Sequence, residues 1–255
     1  MVGLNNQEMH ELLELLKKAG VSPEEALDML NSQLTSQLGF ARVDTGRGAR
    51  AVLPEIVLAS GKNFEEVRTV TDNLFSRIGL AIVSRVEAEL GEYLRKAFPD
   101  GSYHERARIF TLGSDEAERR ENEGSVAVIS AGTSDLHAAE ESAVILEIMN
   151  VDINRFYDIG VAGIHRLGHI LPQLKRSSIC IVCAGMDAAL PTVIGGLFRG
   201  PVVAVPTSTG YGTAFKGVTA LLSMLNSCSP GICVMNIDNG LGAAAAALRI
   251  LRGNC

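Results

Sequence analysis

From Ser125 onward the chain repeats one unit. Five short apolar runs, Ser125–Ile129, Ile153–Ile159, Ser178–Cys183, Pro201–Val205 and Gly231–Ile237, are each followed by a stretch of helical character. Runs this short that stay apolar at successive positions are buried on both faces, as strands of a parallel sheet are when helices cover both sides. Five such units predict an open α/β domain, a flavodoxin-like doubly wound parallel sheet of about five strands in the order 2-1-3-4-5. This alternation restricts the fold more than any other feature of the chain.

The preceding part reads differently. Residues 1–38 are expected to form N-terminal helices: Met9, Leu12, Leu13 and Leu16 keep helical spacing before Gly20, and Ser22, Pro23 and Glu25 supply a cap for a second stripe at Leu27, Leu30 and Leu34. Residues 39–50 read as an exposed connector, whose Arg42, Arg47 and Arg50 offer either an anion clamp or a solvated linker. The connector opens a small α/β domain over 39–113, with strands expected at Pro54–Ala59, Leu80–Ser84 and Ala107–Leu112. Helices are expected at Asn63–Ile78 and Glu87–Ala97. Ser60, Gly61 and Lys62 do not make a P-loop, because the glycine required five residues before Gly61 is Ile56. The charged run Gly113–Gly124 is placed as the boundary with a catalytic domain over 125–255.

Composition narrows the function. A formal charge of −6 with no basic block argues against a nucleic-acid surface, and the absence of Trp removes the best stacking side chain. The first residues lack the basic and apolar regions of a secretion signal, and the most apolar window, Ile179–Phe198, contains Asp187 and Pro191, so no membrane partner and a cytoplasmic location are expected. Cys180 and Cys183 have CxxC spacing, but positions three apart on a strand face opposite sides, so both read as core thiols, as does Cys233. Cys228 alone lies in a polar, loop-like setting.

In an open α/β sheet, ligands bind beyond the carboxyl ends of the strands. The loops expected there carry Gly132, Thr133, Ser134 and Asp135; then Gly160 to Arg166, with His165; then Gly185, Met186 and Asp187; then Thr207 and Ser208; and last Asp238 and Asn239. All five are rich in glycine, hydroxyl, carboxylate or imidazole groups, which points to a polar ligand. The Gly132–Asp135 segment suits an anion at a helix N-terminus, and equally an ordinary turn capped by Ser134 or Asp135. Asp135, Asp187 and Asp238 offer carboxylates, and His165 with Arg166 pairs a proton carrier with an anion clamp. Cys228 precedes the fifth strand, so topology puts it on the opposite edge from these loops, and a helix C-terminus does nothing to activate it.

The residues Ser130 to Asp135, Asp158 to Arg166, Ala184 to Asp187, Ala204 to Ser208, Gly210 to Thr213, Asn226 to Cys228 and Asn236 to Gly240 resemble the PurE-type aminoimidazole ribonucleotide carboxylases/mutases. The likeness is closer to their LarB relatives, because Leu38 to Ala41, Asp44, Arg47, Arg50, Pro54, Glu55, Gly61 and Lys62 also resemble that family and lie outside the purine enzymes. The resemblance implies synthesis of pyridinium-3,5-biscarboxylic acid mononucleotide, in the nickel-pincer cofactor route. Nicotinic acid adenine dinucleotide would be carboxylated on its pyridinium ring, with carbon dioxide or bicarbonate as co-substrate, and its phosphoanhydride hydrolysed to release AMP. It further implies Cys228 as nucleophile, Asp187 as acid/base or ligand of magnesium or another divalent cation, and His165 as proton carrier. Gly132 to Asp135, Arg166, Gly185, Met186, Thr207, Ser208, Asp238 and Asn239 would bind the nucleotide. The assembly implied is a homo-octamer with sites shared between subunits, which would answer the edge mismatch of Cys228. A PurE-type reaction on aminoimidazole ribonucleotide, or a noncatalytic nucleotide-binding relative, are the other readings.

Overall fold

The computed structural model describes Glu14, Lys17, Ser22, residues 34–114 and residues 124–253. The expected helices before residue 34 and most of the charged boundary run lie outside the described residues. The chain divides into two compact units, Met1–Ala117 and Glu118–Cys255.

The first unit contains strands β1 (Ser36–Gln37), β2 (Arg42–Val43), β3 (Ile56–Leu58), β4 (Leu80–Ser84), β5 (Ser102–His104) and β6 (Ile109–Gly113), with helices α1 (Phe64–Ile78) and α2 (Ala88–Ala97). α1 starts at a reciprocal cap, in which Asn63 accepts from the Glu66 amide and Glu66 accepts from the Asn63 amide. It stops at Gly79, whose φ of 71° lies in the left-handed region. The main sheet has the order β3-β4-β6-β5, parallel only between β3 and β4. Val67, Val70 and Leu74 of α1 and Leu94 of α2 pack with Val57, Val83 and Phe110 of that sheet.

The connector reading of 39–50 needs correction. Arg42–Val43 pairs antiparallel with Ser36–Gln37, and Val43 and Thr45 are buried. Arg47 is tied to Glu55 at 3.1 Å and Arg50 to Asp44, so these guanidiniums are ion-paired inside the unit. The short β5 strand was not expected; it pairs with β6 along three residues.

The second unit holds five parallel strands: β7 (Ser125–Ser130), β8 (Asp152–Phe156), β9 (Ile179–Ala184), β10 (Val202–Pro206) and β11 (Ile232–Val234). The sheet order is β8-β7-β9-β10-β11, which is 2-1-3-4-5, as the repeat predicts. Five helices follow the strands in turn: α3 (Leu136–Ile148), α4 (Ile164–Leu174), α5 (Ala189–Leu197), α6 (Val218–Leu225) and α7 (Gly240–Arg252). α3 and α7 pack on each other and on the sheet, while α5 packs with α6 and on β9 and β10. Leu167, Leu174, Leu190, Ile194, Ala220 and Met224 from α4, α5 and α6 fill a core with Ala127, Ile129, Cys180, Val182 and Ala204 of the sheet. Burying such chains in close contact contributes about 1.5–3 kcal/mol each.

Three element readings shift at the sheet edges. β8 ends at Phe156 rather than Ile159 and exposes Asp152, Asn154 and Arg155. β11 covers only Ile232–Val234, and Cys233 in its middle is exposed rather than in the core. Both are edge strands, so one flank lacks a neighbour to exclude water. The helix expected over Ala214–Asn226 begins at Val218, after a short 3-10 segment kinked at Phe215 and Lys216, whose φ values are 44° and 51°. Among the described residues no helix is long and apolar enough to cross a membrane.

Candidate active site

Because β7 to β11 run parallel, the loops that follow them share one edge of the sheet. Backbone bonds lace this edge: Ala131 N donates to Cys183 O, Ile159 N to Ser130 O, Thr207 N to Ala184 O, Met186 N to Thr209 O, and Asp238 N to Pro206 O. Glycine is required where the loops touch. A Cβ on Gly185 would lie 2.5 Å from Thr209 O and 2.7 Å from Thr207 Oγ1.

Asp135 is buried and spans two loops. Its Oδ1 accepts from Thr207 Oγ1 at 2.5 Å and its Oδ2 from Gly132 N at 2.8 Å. Its carboxylate does not cap α3 itself; it closes the short 3-10 turn ahead of that helix and fixes the shape of the Gly132–Ser134 segment. Ser134 contributes its carbonyl, which accepts from Thr209 Oγ1 at 3.1 Å.

Asp238, at a φ of 54°, is the second knot. Its Oδ1 accepts from Ser208 N at 2.8 Å and faces His137 Nε2 at 2.9 Å. Burial alone would raise its pKa, but the hydrogen bonds from His137 and Ser208 outweigh that and hold the carboxyl at about 2. Asn239 is occupied as the cap of α7, accepting from Gly242 N at 2.8 Å. Beneath these loops the buried Glu141 accepts from Leu241 N at 3.1 Å, and Ser142 Oγ bridges Ala138 O and Gly240 O.

Arg166 is not a free clamp. Its guanidinium donates to both the carbonyl and the carboxylate of Asp158, each at 2.6 Å. His165, in the first turn of α4, is exposed and has no hydrogen-bond partner among the described residues. Asp187 is exposed as well. Among the described residues its side chain accepts from Ala189 N alone, at 3.3 Å, and it sits between two left-handed residues, Met186 and Ala188. Non-glycine residues held at positive φ cost of order 1–3 kcal/mol each and gather at functional loops. Among the described residues, no three His, Cys, Asp or Glu side chains cluster as a metal site.

Burial raises the thiol pKa of Cys180 and Cys183; for Cys183 the negative charges of Asp135, Glu141 and Asp238 raise it further. Both are inert core thiols, whereas Cys228 is exposed. Ser227 Oγ lies 2.7 Å from Thr192 Oγ1, and Ser229 Oγ donates to Thr192 O at 2.7 Å, so both neighbours of Cys228 are fastened to α5. Thr192 stands three residues into that helix, within about one turn (5.4 Å) of where it starts after Asp187. Ser223 of α6, the helix that leads to Cys228, donates to Asp187 O at 2.6 Å, ahead of α5. The topological distance between Cys228 and the ligand edge is thus shortened, because α5 is brief and the loop packs along it.

The five loops were readable from the sequence, but His137 was not. It lies two residues past Asp135, at the start of a helix, and nothing in the local spacing signals that it meets a carboxylate 101 positions later. Thr209 was missed for the same reason.

A doubly wound domain with polar, glycine-pinned loops at one edge fits an enzyme that holds a nucleotide. Comparison narrows the class: residues 125–254 match the AIR carboxylase family, and residues 35–114 match the LarB/PurE-like N-terminal domain. The sequence is 36% identical to an uncharacterized protein of Methanocaldococcus jannaschii over 247 residues, covering 94% of this chain and 95% of that one. It is 34% identical to N5-carboxyaminoimidazole ribonucleotide mutase of the same organism over 131 residues, 49% of this chain and 78% of the mutase. These matches support a carboxylase/mutase type of function. The chain belongs to the LarB/PurE-like family, with an AIR carboxylase domain as its second unit.

Proposed function

We propose that the protein carboxylates the pyridinium ring of nicotinic acid adenine dinucleotide and hydrolyses its phosphoanhydride, giving pyridinium-3,5-biscarboxylic acid mononucleotide and AMP. The observation that carries this reading is the exposed Cys228 thiol, held between two serines anchored beside the Asp187 loop, in a chain that also has the LarB/PurE-like N-terminal domain.

The chemistry explains why a thiol is needed. A pyridinium is electron-poor and does not attack carbon dioxide, which is also electron-poor. Addition of the Cys228 thiolate to a ring carbon forms a C–S bond and moves an electron pair into the ring, leaving a neutral enamine. The enamine carbon attacks carbon dioxide and forms the new C–C bond. Loss of the proton from that carbon, followed by departure of the thiolate, restores the aromatic pyridinium. The ring's positive charge favours the thiolate form of the approaching sulfur. Asp187 or His165, both exposed, would take the ring proton. A water molecule adds across the phosphoanhydride and releases AMP; magnesium or another divalent cation, if bound by Asp187, would neutralise phosphate charge there.

We place the working site in an assembly of several copies, with a homo-octamer as the expected form. Support comes from Val218, Leu222 and Leu225, which expose apolar side chains at i, i+4 and i+7 on α6, in continuation of exposed Tyr211 and Phe215. A neighbour covering this face would bring its own ligand loops toward Cys228. Mixing Cys228→Ala and Asp187→Ala chains under subunit exchange should restore part of the activity; no recovery would remove the shared site.

The decisive experiment incubates the protein with nicotinic acid adenine dinucleotide, bicarbonate and magnesium and follows products by mass spectrometry. A carboxylated mononucleotide with AMP is expected, and Cys228→Ala should form neither. A second reading, action on aminoimidazole ribonucleotide, is favoured by the 34% identity to the archaeal mutase over 49% of this chain. Turnover of that substrate and not of the dinucleotide would install it instead. Tight nucleotide binding with no product from either, unchanged in Cys228→Ser, would mark a noncatalytic relative.

A further inference from the structure

We infer that His137 is a positioning residue that works as a doubly donating imidazolium and latches three of the ligand loops together. Its ring is held at both nitrogens: Nε2 faces Asp238 Oδ1 at 2.9 Å, and Nδ1 faces the Ser134 carbonyl oxygen at 3.3 Å. A carboxylate and a carbonyl are both acceptors only, so each of these contacts is a hydrogen bond only when that nitrogen carries a proton. Neutral imidazole has one N–H and satisfies one of the two. The cationic ring satisfies both, and the Asp238 contact then becomes a charge-assisted bond.

The charge in contact with the ring points the same way. Across the gap stands Asp238, ionised well into acid and also accepting from Ser208 N. From its own segment come Asp135, two residues earlier and buried, and Glu141, one helical turn later and buried. The Ser208 loop presents an amide, and that amide is directed at Asp238 rather than at the ring. Asp238, at 2.9 Å, favours the protonated imidazole and acts against the positive end of α3, in whose first turn His137 stands.

The latch joins the loop after β7, through Ser134, to the loop after β11, through Asp238, and by Asp238 to the loop after β10, through Ser208. The loop after β10 returns to the first through Thr209 and the Ser134 carbonyl. His137 thus closes a ring of contacts around the segment Gly132–Ser134. Because the folded ring gains a partner for its charged form, its contribution is complete at low pH and is lost as pH rises through its folded titration point. An ordinary histidine titrates near about 6.5, and a rise of one unit corresponds to about a tenfold difference in how strongly the two ring forms hold the latch.

The test needs no substrate, so its failure is distinct from failure of the proposed reaction. In the full-length protein labelled with nitrogen-15 histidine, the His137 ring, assigned by its loss in His137→Gln, is expected to keep both N–H groups at pH 7. Its midpoint should lie above the ordinary histidine value and fall toward it in Asp238→Asn. Hydrogen-exchange protection of peptides covering 132–135 and 207–210, corrected for intrinsic rates, should drop about tenfold above that midpoint. In His137→Gln, protection should be low and independent of pH. A ring with one N–H at pH 7, a midpoint unmoved by Asp238→Asn, or protection that ignores the midpoint would each overturn the inference.

Discussion

Replacing Thr207 with Val isolates one hydrogen bond. The side chains have nearly the same shape, Thr207 is fully buried, and the exchange removes the hydroxyl that donates to Asp135 Oδ1 at 2.5 Å. What remains is a buried carboxylate held, among the described residues, by Gly132 N. A hydrogen bond to a charged group contributes about 1.5–3 kcal/mol, and burial places this one in the upper half of that range, so a loss of about 2–3 kcal/mol is expected. With a urea dependence of about 2 kcal/mol per molar, the midpoint should fall by about 1 M. Since the chain has no Trp, methyl resonances of Val126, Val128 and Ile129 are the appropriate probe, for they report the second unit separately. Asp135→Asn removes the charge that makes the loss costly. In the double variant Thr207→Val should therefore be milder, leaving a coupling energy of about 1–2 kcal/mol. A loss below about 0.5 kcal/mol, or additive single effects, would refute the idea that this bond carries a charge.

Other expectations follow from the same geometry. Gly185→Ala should destabilise the second unit by about 1–3 kcal/mol in thermal unfolding, because the added methyl meets Thr209 O, a backbone atom that cannot swing aside; a change within 0.5 kcal/mol of the parent would show that the segment yields. The Asp238 carboxyl sits at about 2 in the folded protein against 3.8 ordinarily, so the stability it confers is present above pH 4 and is lost as pH falls toward 2. Its side chain is 21% exposed, and screening reduces the full linkage value to about 1 kcal/mol; Asp238→Asn should flatten that acid limb in urea titrations at pH 2–5. A thiol-specific reagent on the native chain should modify Cys228 and Cys233 and spare Cys180 and Cys183, as peptide mapping would reveal.

The central strands were legible because burial on both faces leaves no polar positions to confuse the pattern. Val126 to Ile129, Ile179 to Cys183 and Val202 to Val205 are apolar throughout, and all are buried. Legibility fell off toward the edges. The exposed Asp152, Asn154 and Arg155 made β8 look like the weak beginning of a strand, and the reading slid onto the apolar residues after Phe156. Pairs as short as β1 and β2, two residues each, leave no periodic trace. In the site, topology alone assigned the five loops to one edge. It could not reveal how the polar groups within them pair, since Asp135 meets Thr207 across 72 positions. Nor could it reveal that Arg166 and Asp238 each hold a neighbour within the chain, Asp158 and Ser208.

The seat of α7 bears on how the second unit comes into being. Its first residues rest on α3 at a point where a Cβ on Gly240 would strike Ala138 O, and they are gripped by Glu141 and Ser142, some 100 positions earlier. A nascent chain emerging from the ribosome can therefore complete the first unit early. The second, by contrast, waits with the β9–β10 part of the face beside α3 uncovered until the residues from Gly240 onward have been made. That delay leaves apolar strand surface uncovered from the making of β9 until the last helix arrives, the interval in which a chaperone would have most to do.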